Sequence, residues 1–357
     1  MAWGGSRERL HAGQVRGVPV VSRRRLQQVG GTIAALVVLG GGLLWFKEHT
    51  PADQMAEMCG GVLPVDEMLE LTGTTALGFD HADDDLELDT WHLTAASGVA
   101  EPEGLSVACR TNTGIEVFIQ TADGTNDPYF LSSPRDDALP LPLGAGWTGF
   151  VMGSTVSVLL DCPDWGSRQG GGILVTAEAE GGSRATVARL ATVAAERTAE
   201  RTGCGGETGA RITRIPGDAG GRKVTTDEAT GTCATLRSHS RMRETAAPGT
   251  SPLEECVLGE ELVLRAFYGT FISERDRYGE YGSFRKPTGD DSGGAWGSAT
   301  DCQGLFGTAV YELRTIDDGD HDLVSDPLTS AERDDLRRFA EGSAERHGCR
   351  GLVLPGA

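Results

Sequence analysis

The sequence predicts an α+β protein: one transmembrane helix, then two tandem duplicated domains, each an antiparallel sheet with a C-terminal helix. Three observations carry that expectation. Residues Val29 to Phe46 (VGGTIAALVVLGGGLLWF) hold no charge, so one hydrophobic span leads the chain. All eight cysteines follow it, and a slide of about 145 residues carries Cys59 to Cys204, Cys109 to Cys256, Cys162 to Cys302 and Cys204 to Cys349; self-similarity at a fixed period marks a repeated structural unit. Cys233 stands outside the match. Within each unit, segments of period-two alternation precede one segment of good helix formers.

The first element is the apolar span. At about 1.5 Å per residue it makes a helix of roughly 27 Å, close to a hydrocarbon core. Arg23, Arg24 and Arg25 sit directly before it, with Arg7, Arg9 and Arg16 upstream, while only Lys47 follows. That asymmetry keeps residues 1–28, a basic tail, in the cytoplasm and puts everything after the span outside. A cleaved signal peptide has the same charged and apolar regions, but residues 47–58 (KEHTPADQMAEM) offer only Gln54-Met55-Ala56 as a cleavage site, and Met58 before Cys59 is not the small residue of a lipobox. Ser22-Arg23-Arg24-Arg25-Leu26 is similar to the start of a twin-arginine signal. An uncleaved anchor in the cell membrane is the expected state, with residues 47–58 as a linker.

Charge narrows the partners. The chain carries 32 Lys+Arg against 52 Asp+Glu. Setting aside the six arginines and one glutamate before the span, with Lys47 and Glu48 after it, leaves 25 cations against 50 carboxylates outside. Such a surface repels phosphate backbones, so nucleic acid is excluded as an expected partner. An even number of cysteines on the exported side, with no close Cys-x-x-Cys pair for zinc, reads as a disulfide framework in an oxidising compartment.

The first unit, 59–204, opens with a short helix from Pro64 to Leu71 that ends at Gly73; proline suits a first-turn position. Leu105 to Thr121 in the first unit and Leu253 to Phe271 in the second each read as two strands around a turn. Ile173 to Glu180 and Leu305 to Arg314 read as further strands after Asp161-Cys162 and Asp301-Cys302. The terminal helices end alike: Ala195 to Cys204 (AERTAERTGC) and Ala340 to Cys349 (AEGSAERHGC) share seven identities in ten, each closing on a glycine suited to a left-handed cap. Thr329 with Glu332 has capping-box spacing. Residues 205–222, dense in glycine, read as a linker before the second unit, 223–357. Pairing by neighbours links Cys59 to Cys109, Cys162 to Cys204, Cys233 to Cys256, and Cys302 to Cys349, one of 105 connectivities open to eight cysteines.

Chemistry is sparsely marked. Asp290-Asp291-Ser292-Gly293-Gly294 resembles the Asp-Ser-Gly-Gly of trypsin-like serine proteases, which implies Ser292 as nucleophile. The resemblance covers five residues, and Asp290 and Ala295 depart from the family's flanks. A serine also needs an imidazole base within reach; the family takes it from Ala-Ala-His-Cys, absent here, and His92 and His239 stand in plain contexts. Gly144 to Gly149 (GAGWTG) looks like the first-unit counterpart of Ser292 to Gly297 (SGGAWG) and has no serine, which favours a structural turn. Asp318, Asp320 and Asp322 have the alternate spacing of a calcium loop, yet Leu323 and Thr329 replace its glycine and glutamate. Asp83, Asp85, Glu87 and Asp89 alternate with Leu86 and Leu88 as the solvated face of a strand. The seven histidines show no metal spacing, and there is no Walker loop, dinucleotide fingerprint or Gly-x-Ser-x-Gly elbow. No cofactor is expected.

Cys59-Gly60-Gly61-Val62-Leu63-Pro64, followed by Glu67 to Gly73 (EMLELTG), resembles the opening of actinobacterial membrane-anchored envelope proteins of uncharacterised function, which carry disulfide-stapled α+β modules. Only three lysines against many arginines, with 51 glycines, point to the same high-GC source. The resemblance implies no activity. The expected function is a single-pass, extracytoplasmic binding or envelope-associated protein, non-catalytic, with an envelope or membrane-protein partner; the alternative is a serine hydrolase using Ser292.

Overall fold

The computed structural model describes residues 58–73, 88–91, 105–111, 114–122, 138–165, 171–237, 239–272, 289–291, 294–316 and 328–355. They belong to one unit, Pro51–Ala357. The apolar span Val29 to Phe46 lies outside them; among the described residues no helix is long and apolar enough to cross a membrane.

The order begins with helix α1 (Val65–Thr72) and strands β1 (Leu88–Trp91), β2 (Ser106–Thr111), β3 (Ile115–Thr121), β4 (Leu141–Gly144), β5 (Trp147–Met152), β6 (Thr155–Asp161) and β7 (Gly172–Ala179). Helix α2 (Arg184–Thr202) follows, then β8 (Arg222–Val224), β9 (Met242–Glu244), β10 (Leu253–Leu258), β11 (Leu262–Tyr268), β12 (Gly289–Asp291), β13 (Gly294–Cys302) and β14 (Gly307–Thr315). Helix α3 (Ser330–Arg346) and β15 (Arg350–Val353) end the chain. The fold is α+β. Its first sheet has the order β1-β2-β3-β7-β6-β5-β4 and its second β12-β13-β14-β11-β10-β9-β8, with β15 added on β13. The described strand pairs are antiparallel.

Read from β1 and from β9, the two sheets run in one order. Strands β1-β2-β3-β7-β6-β5 of the first match β9-β10-β11-β14-β13-β12 of the second. Register follows: Cys109 on β2 faces Val117 on β3, and Cys256 on β10 faces Leu264 on β11, the same offset in both hairpins. Cys162 follows β6 and Cys302 ends β13, its counterpart. Cys204 and Cys349 each follow the long helix of their half.

Helix ends form where the local chemistry dictates. Pro64 stands at the N-cap of α1, and Gly73 ends it at φ 66°. Ser183 caps α2 by accepting from the Thr186 amide at 3.1 Å, and Gly203 closes it at φ 69°. Thr329 and Glu332 make the full capping box of α3. The buried face of α2 carries Val187, Leu190, Ala191, Ala194 and Ala195, spaced at one to three and four residues as an amphipathic helix requires. Its alanines let the helix lie close on β6 and β7.

Alternation divides each strand between two cores. On β7, Ile173, Val175 and Ala177 face α2, whereas Leu174 faces away. On β11, Leu264, Ala266 and Tyr268 face α3, whereas Val263 and Phe267 face away. The residues that face away meet. Phe150, Leu159 and Leu174 of the first sheet form one cluster with Leu253, Phe267 and Phe271 of the second half, with Phe150 and Phe271 edge to face at 5.2 Å. The layers are therefore helix, sheet, sheet, helix. Each buried side chain of this kind contributes about 1.5 to 3 kcal/mol.

One expectation needs correction. The segments GAGWTG and SGGAWG are not structural counterparts, because Trp147 opens β5 whereas Trp296 lies on β13, which matches β6. The similarity reflects glycines required at close strand approaches: a Cβ on Gly149 or Gly294 would stand 2.2 Å from a carbonyl oxygen of the neighbouring strand. Of the expected linker 205–222, residues 205–221 contain no helix or strand and Arg222 opens β8, and the segment packs on its neighbours. Trp147 Nε1 donates to Ala210 O at 2.9 Å, Ala210 N to Ala145 O at 2.7 Å, and Leu139 N to Ala219 O at 2.8 Å. A Cβ on Gly209 would stand 2.4 Å from the Trp147 ring, so here glycine serves close packing.

Three disulfides join Cys162 to Cys204, Cys233 to Cys256 and Cys302 to Cys349. Cys109 is also disulfide-bonded; the side chain of Cys59, its expected partner, lies outside the described residues. The first and third bonds fasten the ends of α2 and α3 to the equivalent strands β6 and β13. Between α3 and its sheet lies a buried polar cluster. Glu254 on β10 accepts from Ser343 Oγ at 2.7 Å and from Arg346 Nε and Nη2 at 3.2 and 2.6 Å, and Ser343 Oγ lies 2.6 Å from the Tyr268 hydroxyl. His347 stacks on Tyr268 at 3.9 Å. Burial pushes the phenols of Tyr268 and Tyr311 far above the ordinary range, so both stay neutral.

Two outcomes follow from these staples. Replacing Glu254 by Ala leaves the Arg346 guanidinium without its carboxylate in a mostly buried place, and is expected to cost about 3 to 5 kcal/mol in the urea unfolding midpoint. Removing the Cys302–Cys349 bond by a double Ala substitution releases a loop of 47 residues. The chain-entropy account predicts a loss of about 4 kcal/mol, measured by the same titration under oxidising conditions.

Candidate functional site

The site begins with Glu244, on β9 and 2% exposed. Its carboxylate accepts from the amides of Thr230, Gly231 and Cys233 at 3.1, 2.9 and 3.3 Å, and pairs with Arg222. Together with the Cys233–Cys256 bond, these contacts pin the segment 225–237 against the second sheet. Thr226 Oγ1 then donates to the carbonyl of His239. The imidazole that follows is held over the first turns of α3, where its Nε2 stands 2.8 Å from Oδ2 of Asp335. The Asp335 side chain is 1% exposed and that of His239 24%.

His239 looks onto a groove of about 1090 Å³ at one end of the second sheet. Its apolar lining is the ends of five neighbouring strands: Val224 from β8, Met242 from β9, Leu258 from β10, Leu262 from β11, and Ile316 just after β14. Ile316 is 38% exposed, an uncommon state for a large apolar side chain here. Lys223 and Arg241 stand on the β8–β9 side, and Glu260 and Glu261 on the β10–β11 turn. Gly259 opens that turn at φ 64°, a left-handed position that favours glycine. All four charged side chains belong to exposed residues. Glu228 and Glu332, also at the rim, accept from Thr225 and Thr329, and those contacts hold the Glu228 carboxyl below the usual carboxylate range.

The hydrogen bond to Asp335 raises the His239 pKa above its ordinary 6.5, burial works against it, and the charges of Asp335 and Glu332 add to the rise. An imidazole held by a buried carboxylate is half of a general-base arrangement. The groove supplies no nucleophile for it among the described residues: Thr225 Oγ1 is bonded to Glu228, and Ser240 makes no described bond to the ring. What the groove presents is an imidazole held by a buried carboxylate, with exposed charges of both signs around strand-end side chains that belong to the core under α3.

Of the residues singled out in the sequence, His239 enters this site, and by a partner 96 positions away that no spacing rule reveals. Ser292 lies outside the described residues; the strands on either side of it pair with Asp291 opposite Gly294. Asp318, Asp320, Asp322 and His92 also lie outside them. Among the described residues no group of three or more His, Cys, Asp or Glu side chains is arranged to hold a metal ion. The groove itself went unseen in the sequence, since its residues are scattered from 223 to 332. The one local signal is charge: residues 211–243 carry seven Lys or Arg against three Asp or Glu, in a strongly acidic chain.

Comparison of the chain with known family models, with curated proteins and with solved structures finds no match.

The raised His239 pKa sets a direction for stability. The protonated ring gains its partner only in the folded state, so its contribution is fully present below about pH 6.5 and is lost as pH rises through the folded-state value. His239→Gln should therefore be destabilising at pH 5.5 and less so at pH 8.5, read as the difference from the parent protein in urea midpoints. Equal differences at both pH values would show that the pair does not titrate with folding.

Proposed function

We propose that the chain is a single-pass membrane protein, anchored by Val29 to Phe46, that displays a non-catalytic binding module on the extracytoplasmic side. The observation that carries the reading is the set of disulfides at Cys162–Cys204, Cys233–Cys256 and Cys302–Cys349. Bonds that tie helix ends and a site-bearing segment to their sheets require a compartment where they persist. The arginines before the apolar span supply the orientation, and the acidic exterior disfavours nucleic acid. The shared strand order and hairpin register support an origin of the two halves by duplication. The groove described above lies in the second half.

A reporter that is active only in the cytoplasm, fused after Ala357, should be silent in this topology, and a bright signal would overturn it. The non-catalytic reading is tested separately with a fluorophosphonate probe on membranes. No labelling is expected, and labelling that disappears in Ser292→Ala would replace the binding module by a serine hydrolase.

A further inference from the structure

We infer that His347 is a proton-operated latch: with both ring nitrogens protonated it ties the end of α3 to residues 249–251, which carry the tie on to the first sheet, and loss of one ring proton opens it. The latch lies outside the groove and depends on no ligand.

The protonation state comes from what the ring faces. His347 is 1% exposed. Its Nδ1 stands 2.9 Å from the carbonyl oxygen of Ser343, and its Nε2 stands 2.9 Å from that of Ser251. A carbonyl oxygen only accepts, so each contact is a hydrogen bond only when the nitrogen carries a proton. A neutral imidazole has one N–H. In either tautomer it would aim a bare lone pair at a carbonyl oxygen, among residues closed to water, and buried polar groups are rarely left so. The imidazolium satisfies both contacts at once.

The other neighbours are compatible with a charged ring. Tyr268 of β11 stacks on it at 3.9 Å, which favours a cation, and Phe306, just before β14, meets it at a steep angle with centroids 5.0 Å apart. Tyr268 reaches Tyr311 of β14 and, through Ser343, Glu254 of β10. Glu254 is paired with Arg346 of α3 at 2.6 Å, so the two charges largely offset each other at the ring. Both phenols are neutral.

The consequence comes from where residues 249–251 lead. Gly249 takes φ 74°, and a Cβ on it would stand 2.8 Å from the carbonyl oxygen of Arg346, so the segment runs directly against the last turn of α3. The carbonyl of Thr250 accepts from the Gly149 amide of β5 at 3.0 Å, and that of Ser251 accepts from His347. Three consecutive residues thus join α3 of the second half to the sheet of the first. A ring with one proton keeps it on Nδ1, because Ser343 lies within the same helical turn and already accepts from the His347 amide at 3.2 Å. The Ser251 carbonyl then faces a lone pair, and the segment that holds Gly149 is pushed from its place. The latch is closed in acid and opens as pH rises.

The test uses the full-length protein in detergent micelles with ring-labelled histidine, followed by NMR from pH 5.5 to pH 8.5, with the His347 ring assigned through its contact with Tyr268. At pH 5.5 both ring nitrogens of His347 should carry a hydrogen, and by pH 8.5 one should be bare. Over the same titration the Gly149 amide should lose about tenfold or more of its exchange protection, after correction for the intrinsic rate. His347→Leu, which has no donor, should show the lower protection at both pH values; the parent titration stands as a test even where that variant does not fold. A bare ring nitrogen at pH 5.5, a ring still doubly protonated at pH 8.5, or a Gly149 amide indifferent to the lost proton would each overturn the inference. So would a Gly149 response that vanishes in His239→Gln, since it would then belong to the His239–Asp335 pair.

Discussion

Each of the two sheets has two faces to cover and one long helix to cover them with, and that shortage governs the rest of the structure. The helix-side faces are closed by α2 and α3. The opposite faces carry Phe150, Leu159 and Leu174 in one half and Leu253 and Phe267 in the other, too apolar to leave in water. Packing them against each other is the solution that removes both surfaces at once. The segment 205–221 lies against Trp147 and Leu139 for the same reason: a chain crossing between sheets that share a core must follow the surface of that core.

The disulfides act where this layering is weakest. A helix resting on the outside of a sheet frays from its end, and Cys204 and Cys349 stand directly after the caps of α2 and α3. Their partners, Cys162 and Cys302, occupy equivalent places after β6 and at the end of β13. The Cys233–Cys256 bond does something different. It holds a segment without helix or strand against β10, and with Glu244 it sets the height of His239 above the groove. Stability and site geometry thus depend on the same covalent tie.

The second sheet treats charge in two ways. Glu254, Glu244 and Asp335 are buried and saturated with donors, so they act as fixed struts whose removal leaves unpaired groups behind. The side chains of Lys223, Arg241, Glu260 and Glu261 are exposed and make no hydrogen bond or ion pair among the described residues.

Much of this was legible in the residues themselves. The α+β class, both cysteine-bearing hairpins, the capping box at Thr329, the glycine ends of the long helices and three neighbour-paired disulfides follow from local rules: period-two alternation, cap chemistry and proximity along the chain. Strands β4, β5 and β6 escaped because they are buried on both faces and read as apolar runs without alternation, and the short β8, β9 and β12 because three residues carry no period. Trp147 and Trp296 looked equivalent because glycines next to a tryptophan are demanded wherever two backbones approach closely, whichever strand they lie on. The sequence by itself determined the α+β class, the cysteine-bearing hairpins and the ends of the helices, since each depends on residues a few positions apart. Only the tertiary structure decided that the two halves share a core and that Asp335 orients His239. Those relations join residues separated by tens of positions, and a linear pattern contains no term for the fold that brings them together.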